Sequence, residues 1–144
     1  MKQITVKDLK EISKSWCTTR EKKYSSNDIF YISSDIILKY LTYESVGEVS
    51  KMLKSNDYYR EIYEDIKENG WDDEYPARIG IGDKGEIFVH GGNHRVNILT
   101  ELKPISVPIV FRYAVGYKEK NTIHITPNGE VINGSEGLLP QWEK

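Results

Sequence analysis

The sequence predicts an α+β fold, and three observations carry that prediction. Two stretches, at about 5–17 and 57–69, repeat apolar residues at helical spacing behind helix-start signals. A pair of β-rich runs, Arg78 to Gly82 and Glu86 to His90, flanks Asp83-Lys84-Gly85 as in a hairpin. Near the C-terminus a second hairpin signal, Pro127-Asn128-Gly129, is bracketed by Thr122 to Thr126 and Glu130 to Ile132. At 144 residues the chain fits one domain, 1–144, with an N-terminal helix at 5–17, a core over about 29–113 and a C-terminal hairpin at 121–132.

Each element has its own local signal. Thr5 and Asp8 form a capping-box-like pair, and Leu9, Ile12 and Trp16 then share one helix face. Residues 18–28 are polar and read as a loop, after which Ile29-Phe30-Tyr31-Ile32 reads as a short buried strand. Ser33 and Ser34 can cap a short helix over 35–41, and a second short helix is expected over 45–54. In the next helix Asp57 is the expected N-cap, Tyr59, Ile62, Tyr63 and Ile66 make the apolar stripe, and Gly70 stands where a left-handed C-cap belongs. The hairpin's second strand runs directly into Gly91-Gly92. A helix then begins near Asn93 and buries Val96, Ile98, Leu99 and Leu102, until Pro104 stops it and Val107 to Tyr113 return as a strand. Leu138, Leu139 and Trp142 are expected to anchor the tail from Gly134 to Lys144.

Composition narrows the function classes. Hydrophobic residues make up 38% and charged residues 29%, as in ordinary globular chains. No apolar run reaches the roughly 20 residues of a membrane span, and the first residues lack the apolar core of a secretory signal, so a cytoplasmic protein is expected. The lone cysteine, Cys17, has no disulfide partner in the chain, and no Cys/His set has zinc spacing, so no residue is assigned to a metal. A net charge of −2 argues against a general nucleic-acid binder. The charge is nonetheless uneven: residues 1–23 are locally basic, while 57–74 are acidic through Asp57, Glu61, Glu64, Asp65, Glu68, Asp72, Asp73 and Glu74. Both runs read as solvated surface, or as docking patches for a partner or second copy.

The residues that carry chemistry lie in Gly91-Gly92-Asn93-His94-Arg95, at a strand-to-helix junction. Backbone N–H groups at a helix start face outward, and glycines let an anion come close. Arg95 adds a planar donor fork suited to phosphate, and His94 a group whose residue type exchanges protons near neutral pH. Two readings stand at this point. One is an anion site; the other is a tight connection in which Asn93 caps the helix and His94 and Arg95 occupy its surface. His90 and His124 lie in strand-like runs and read as structural.

Several of these pieces, in this order, resemble the ParB/sulfiredoxin-like (ParB-like nuclease) superfamily: Asp65 to Gly70, Pro76, the hairpin, Gly91-Gly92-Asn93-His94-Arg95, Leu99 and Val107-Pro108-Ile109-Val110. The likeness covers about residues 57–113 and, loosely, 29–41. It implies a compact domain with a small mixed sheet and helices packed around it. It also implies a nucleotide or phosphate site at Gly91, Gly92, Asn93, His94 and Arg95, with Arg60 approaching from the opposite helix. Three features of the family are missing. Asn93 stands where sulfiredoxins carry their catalytic cysteine, and neither a Glu-Asn-x-Gln-Arg motif nor a helix-turn-helix region is present, so neither sulfinic-acid reduction nor a DNA clamp is expected.

Two functions from different classes fit these residues. In the first the protein binds a nucleotide or phosphorylated small molecule and carries out phosphoryl transfer or phosphodiester cleavage, with His94 as the catalytic residue and a nucleotide with Mg2+ as the expected cofactor. Asp83 and Glu86 are the carboxylates nearest in sequence for acid or base work, while Arg60 has an alternative partner in Glu64. In the second it is a non-catalytic interaction module, of the inhibitor or adaptor type encoded by phages and mobile elements. Such a module would bind a protein through the acidic helix 57–69 and a surface drawn from ten tyrosines.

Overall fold

The computed structural model describes residues 2–113 and the backbone of the strand segments 123–125 and 131–133. Helix α1, Val6–Thr19, starts in a complete capping box: the Thr5 hydroxyl accepts from the Asp8 amide, and the Asp8 carboxylate accepts from the Thr5 amide at 2.9 Å. It runs two residues past the expected end and stops at Arg20, whose φ of 59° turns the chain left-handed. Leu9, Ile12 and Trp16 are buried, so α1 belongs to the main core instead of flanking it.

Strand β1, Phe30–Ser33, leads into α2, Ser34–Tyr40. Ser33 caps that helix, whereas Ser34 is buried and binds the Ile105 backbone, its amide donating to the Ile105 carbonyl and its hydroxyl accepting from the Ile105 amide. A two-residue strand, β2 (Tyr43–Glu44), comes next, between the two short helices expected from the sequence. Helices α3, Val49–Ser55, and α4, Asp57–Asn69, then pack together. The α4 cap is Asn56, whose side chain accepts from the Tyr59 amide; Asp57 is already inside the first turn, where it pairs with Arg60. Gly70 has a positive φ of 78° but an extended ψ of −177°, so the chain leaves α4 straight instead of through a left-handed cap.

Strands β3 (Ala77–Ile81) and β4 (Ile87–Gly91) form the expected antiparallel hairpin, with Gly85 at φ 88° in its turn. Helix α5, Asn93–Ile98, passes into a 3-10 turn, Leu99–Glu101, and β5, Ser106–Tyr113, completes a four-stranded sheet ordered β1-β5-β3-β4. The sheet is mixed: β5 is antiparallel to β1 and parallel to β3. One face carries Ile79, Ile81, Ile87, Val89, Val107, Ile109 and Phe111 into the core against α1. The other carries Arg78, Val110 and Arg112. Strands β6 (Ile123–Ile125) and β7 (Val131–Asn133) pair antiparallel and extend β2 into a second sheet. The turn expected at Pro127-Asn128-Gly129 and the anchoring residues Leu138, Leu139 and Trp142 lie outside the described residues. The fold is thus α+β, with helices around a small mixed sheet. Among the described residues no helix is long and apolar enough to cross a membrane.

Candidate functional site

The Gly91-Gly92 junction is built by a break in strand register. Val89 pairs with Ile79 but Gly91 pairs with Arg78, so His90 is an extra residue on β4 and the strand bulges there. A bulge re-aims the side chains beyond it. Gly91 consequently presents its Cα to the face that carries Arg78, and the Arg78 guanidinium lies where a Cβ would stand. Gly92 then takes φ 92°, ψ 20°, a left-handed conformation costly for any residue with a Cβ, and turns the chain into α5. Space is not the constraint there: a Cβ on Gly92 would meet Trp71 and Ala77 at ordinary distances of 3.6 Å.

Asn93 does not cap the helix. Gly92 holds that position and no side chain caps the first turn. The Asn93 side chain instead accepts from the Glu44 amide at 2.8 Å, while Asn97, one turn later and 2% exposed, donates to the Glu44 carbonyl at 2.8 Å and to the Asn93 carbonyl at 2.7 Å. Two asparagines four residues apart therefore grip both polar groups of one peptide residue, tying β2 to the junction. On the other side the Tyr59 hydroxyl of α4 donates to the His94 carbonyl at 3.3 Å. Burial, with the Glu101 charge adding to it, pushes that phenol up to about 12. The hydroxyl stays neutral and remains a donor.

Two grooves meet at Gly92 and Arg95. The first, about 340 Å³, is lined by Glu74, Tyr75, Arg78, Gly92, Arg95 and Arg112 among others; the second, about 320 Å³, by Tyr58, Ile62, Gly92, Asn93, His94 and Arg95. Three arginines from three elements thus converge on the first groove. None of them has a carboxylate within ion-pair distance among the described residues. Arg112 is steadied by donating to the Ser26 carbonyl at 2.6 Å, and the Arg95 guanidinium lies 5.1 Å from the centre of the Tyr75 ring. Tyr75 and Tyr58 are 55% and 68% exposed, so each groove has an open aromatic wall.

No protein-family model, curated protein or solved structure matches the chain significantly. The functional reading therefore rests on the chemistry of the site itself.

Of the residues singled out in the sequence, Gly92, Asn93, His94 and Arg95 line the second groove, and Gly91 underlies Arg78. Arg60 lines neither groove; it pairs with Asp57 and not with Glu64, and donates to the Leu53 carbonyl. Asp83 and Glu86 lie at the far end of β4, where Asp83 pairs with Arg20 and Glu86 accepts from the Lys84 amide at 2.6 Å. Cys17 sits at that same far end, beside Gly85. At six residues, α5 is too short for much of a helix dipole, so the positive field at the junction comes from guanidinium groups. Arg78 and Arg112 have no local signal in the sequence, because only the parallel pairing of β3 with β5 brings them to one face. Among the described residues no group of three or more His, Cys, Asp or Glu side chains is arranged to hold a metal ion.

Proposed function

We propose that this protein binds a phosphate-bearing ligand, a nucleotide foremost, at the junction of the two grooves, and that it is a ParB/sulfiredoxin-like domain. The observation that carries the reading is the convergence of Arg78, Arg95 and Arg112 without carboxylate partners. Like charges brought together are unfavourable on their own, and a bound anion relieves that cost. Arg95 and Gly92 belong to both grooves, so a phosphate placed there leaves the Tyr58 and Ile62 walls for the organic part of the ligand. What supports the family reading is the succession of α4, the β3–β4 hairpin, the glycine junction, α5 and the Val107-Pro108 strand.

A thermal-shift screen over nucleoside mono-, di- and triphosphates, with and without magnesium, tests the reading. A ligand at about 100 times its Kd stabilises the native state by about 2.7 kcal/mol and raises the melting temperature by several degrees. A flat screen across all of these nucleotides counts against it.

The interaction-module reading keeps one observation in its favour: Glu61, Glu64, Asp65 and Glu68 all lie on α4, and all four are exposed. Reversal of these four charges abolishes partner capture if that surface is the binding site, and leaves capture intact if it is not.

A further inference from the structure

One carboxylate shares the groove with the three arginines and pairs with none of them. Glu74 is the acidic residue that lines that groove, and neither groove has a second among its lining residues. Its place is fixed by the turn between α4 and β3. There the Asp72 carbonyl accepts from the Tyr75 amide at 3.0 Å, and the Asp72 carboxylate accepts from the Glu74 amide at 2.9 Å. The turn is fastened on both sides as well: the Trp71 indole donates to the Tyr75 carbonyl at 2.7 Å, and the Tyr31 hydroxyl on β1 donates to Asp73 at 2.6 Å. Tyr75, the next residue in the chain, has its ring centre 5.1 Å from the Arg95 guanidinium, so the same turn that holds Glu74 also touches Arg95. The Glu74 carboxylate nevertheless forms no hydrogen bond or ion pair among the described residues, with Arg78, Arg95, Arg112 or any other group.

A carboxylate only accepts hydrogen bonds, and a guanidinium only donates them. With nothing between them the two form the short paired contact that arginine and carboxylate favour. Held apart in one groove, they suit a ligand that accepts from the arginines and donates to Glu74. From this we propose that Glu74 is the specificity-determining residue of the site and selects a phosphate that still carries a P–OH proton. The inference rests on the phosphate-binding reading above. The ligand class is inorganic phosphate or a terminal phosphate group, whose last proton, lost near pH 6 in water, is held in place by the carboxylate. Sulfate and the linking phosphate of a phosphodiester have oxygens but no proton. Each therefore brings an acceptor against Glu74 and leaves two negative groups in contact. Net charge does not make this distinction: three guanidinium groups and one carboxylate leave the groove two positive charges, which suit sulfate as well as doubly charged phosphate. The hydrogen bond makes it, because a site with a fixed acceptor penalises an analogue that lacks the donor.

The test is displacement calorimetry at neutral pH. Inorganic pyrophosphate is titrated into wild type, Glu74→Gln and Asp72→Asn, each with added phosphate or sulfate at matched ionic strength, and circular dichroism confirms folding. In wild type, phosphate competes about 10- to 100-fold better than sulfate. Glu74 is exposed, so Glu74→Gln leaves the packing alone. It brings the two anions within about 3-fold of each other, because an amide both accepts and donates. Asp72→Asn removes the same charge two residues away, from a side chain that does not line the groove, and its amide oxygen still accepts from the Glu74 backbone; it keeps the wild-type preference. Equal competition by the two anions in wild type, or displacement by neither, overturns the inference and leaves the binding reading standing. So does an undiminished preference in folded Glu74→Gln. A preference lost equally in Asp72→Asn overturns it too, since the effect then belongs to the field of the whole acidic turn. If wild type binds no pyrophosphate, the phosphate-binding reading fails and the inference with it.

Discussion

Gly91 and Gly92 are neighbours with separate duties. A methyl group on Gly91 collides with the Arg78 guanidinium, the far end of a flexible side chain, so Arg78 swings aside at little cost to the fold. Gly91→Ala is therefore expected to lower pyrophosphate affinity, measured by calorimetry, more than it lowers stability. Gly92→Ala meets no clash but must hold φ 92°, at a cost of about 1 kcal/mol or more. Its expected signature is a melting temperature several degrees lower. Tyr59 supplies a pH test. Its phenol ionises near 10 when unfolded and about 12 when folded, so the unfolded state releases its proton first. Its contribution to stability is complete below pH 10 and is lost between pH 10 and 12. Tyr43 and Tyr113 are raised in the same direction by burial, so in Tyr59→Phe the alkaline loss of stability, followed by urea denaturation, becomes smaller without vanishing.

At the scale of elements, the asparagine clip joins three pieces: β2, the glycine junction and α5. Asn97→Ala leaves the Glu44 carbonyl without its side-chain donor in a part-buried setting, and a loss of about 2 kcal/mol is expected in denaturant titration. Elements are legible in the sequence where the signal is local. The α1 capping box needs only Thr5 and Asp8, and the β3–β4 hairpin only a glycine turn between β-branched runs. Shifts of one residue, such as the α4 cap falling on Asn56 in place of Asp57, reflect adjacent polar residues that can each fill the position. Strand β2 is not legible. Two residues carry no periodicity, and they become a strand because Thr42 to Glu44 lie beside β4, Asn93 and β6. The site is half legible for the same reason. Gly92, His94 and Arg95 stand together in sequence, whereas Glu74, Arg78 and Arg112 reach them only through the turn after α4 and the β3–β5 register.

For the molecule as a whole, a net charge of −2 conceals a strongly uneven surface. Three arginines without carboxylate partners line a groove on one face of the sheet while α4 presents its acidic face to solvent. Overall charge sets long-range attraction and local guanidinium groups set short-range capture. Small multiply charged phosphates should therefore bind at physiological salt where a long duplex does not, a contrast that fluorescence anisotropy with labelled DNA and competing pyrophosphate measures. The account depends most on the three arginines forming one anion site. Calorimetric titration with pyrophosphate of wild type and of Arg78→Ala, Arg95→Ala and Arg112→Ala tests this directly. Binding by wild type, with each substitution weakening it about 10-fold or more and Arg95→Ala the most, is the predicted result. Wild-type affinity retained in Arg95→Ala, or no binding by any of the four proteins, contradicts it.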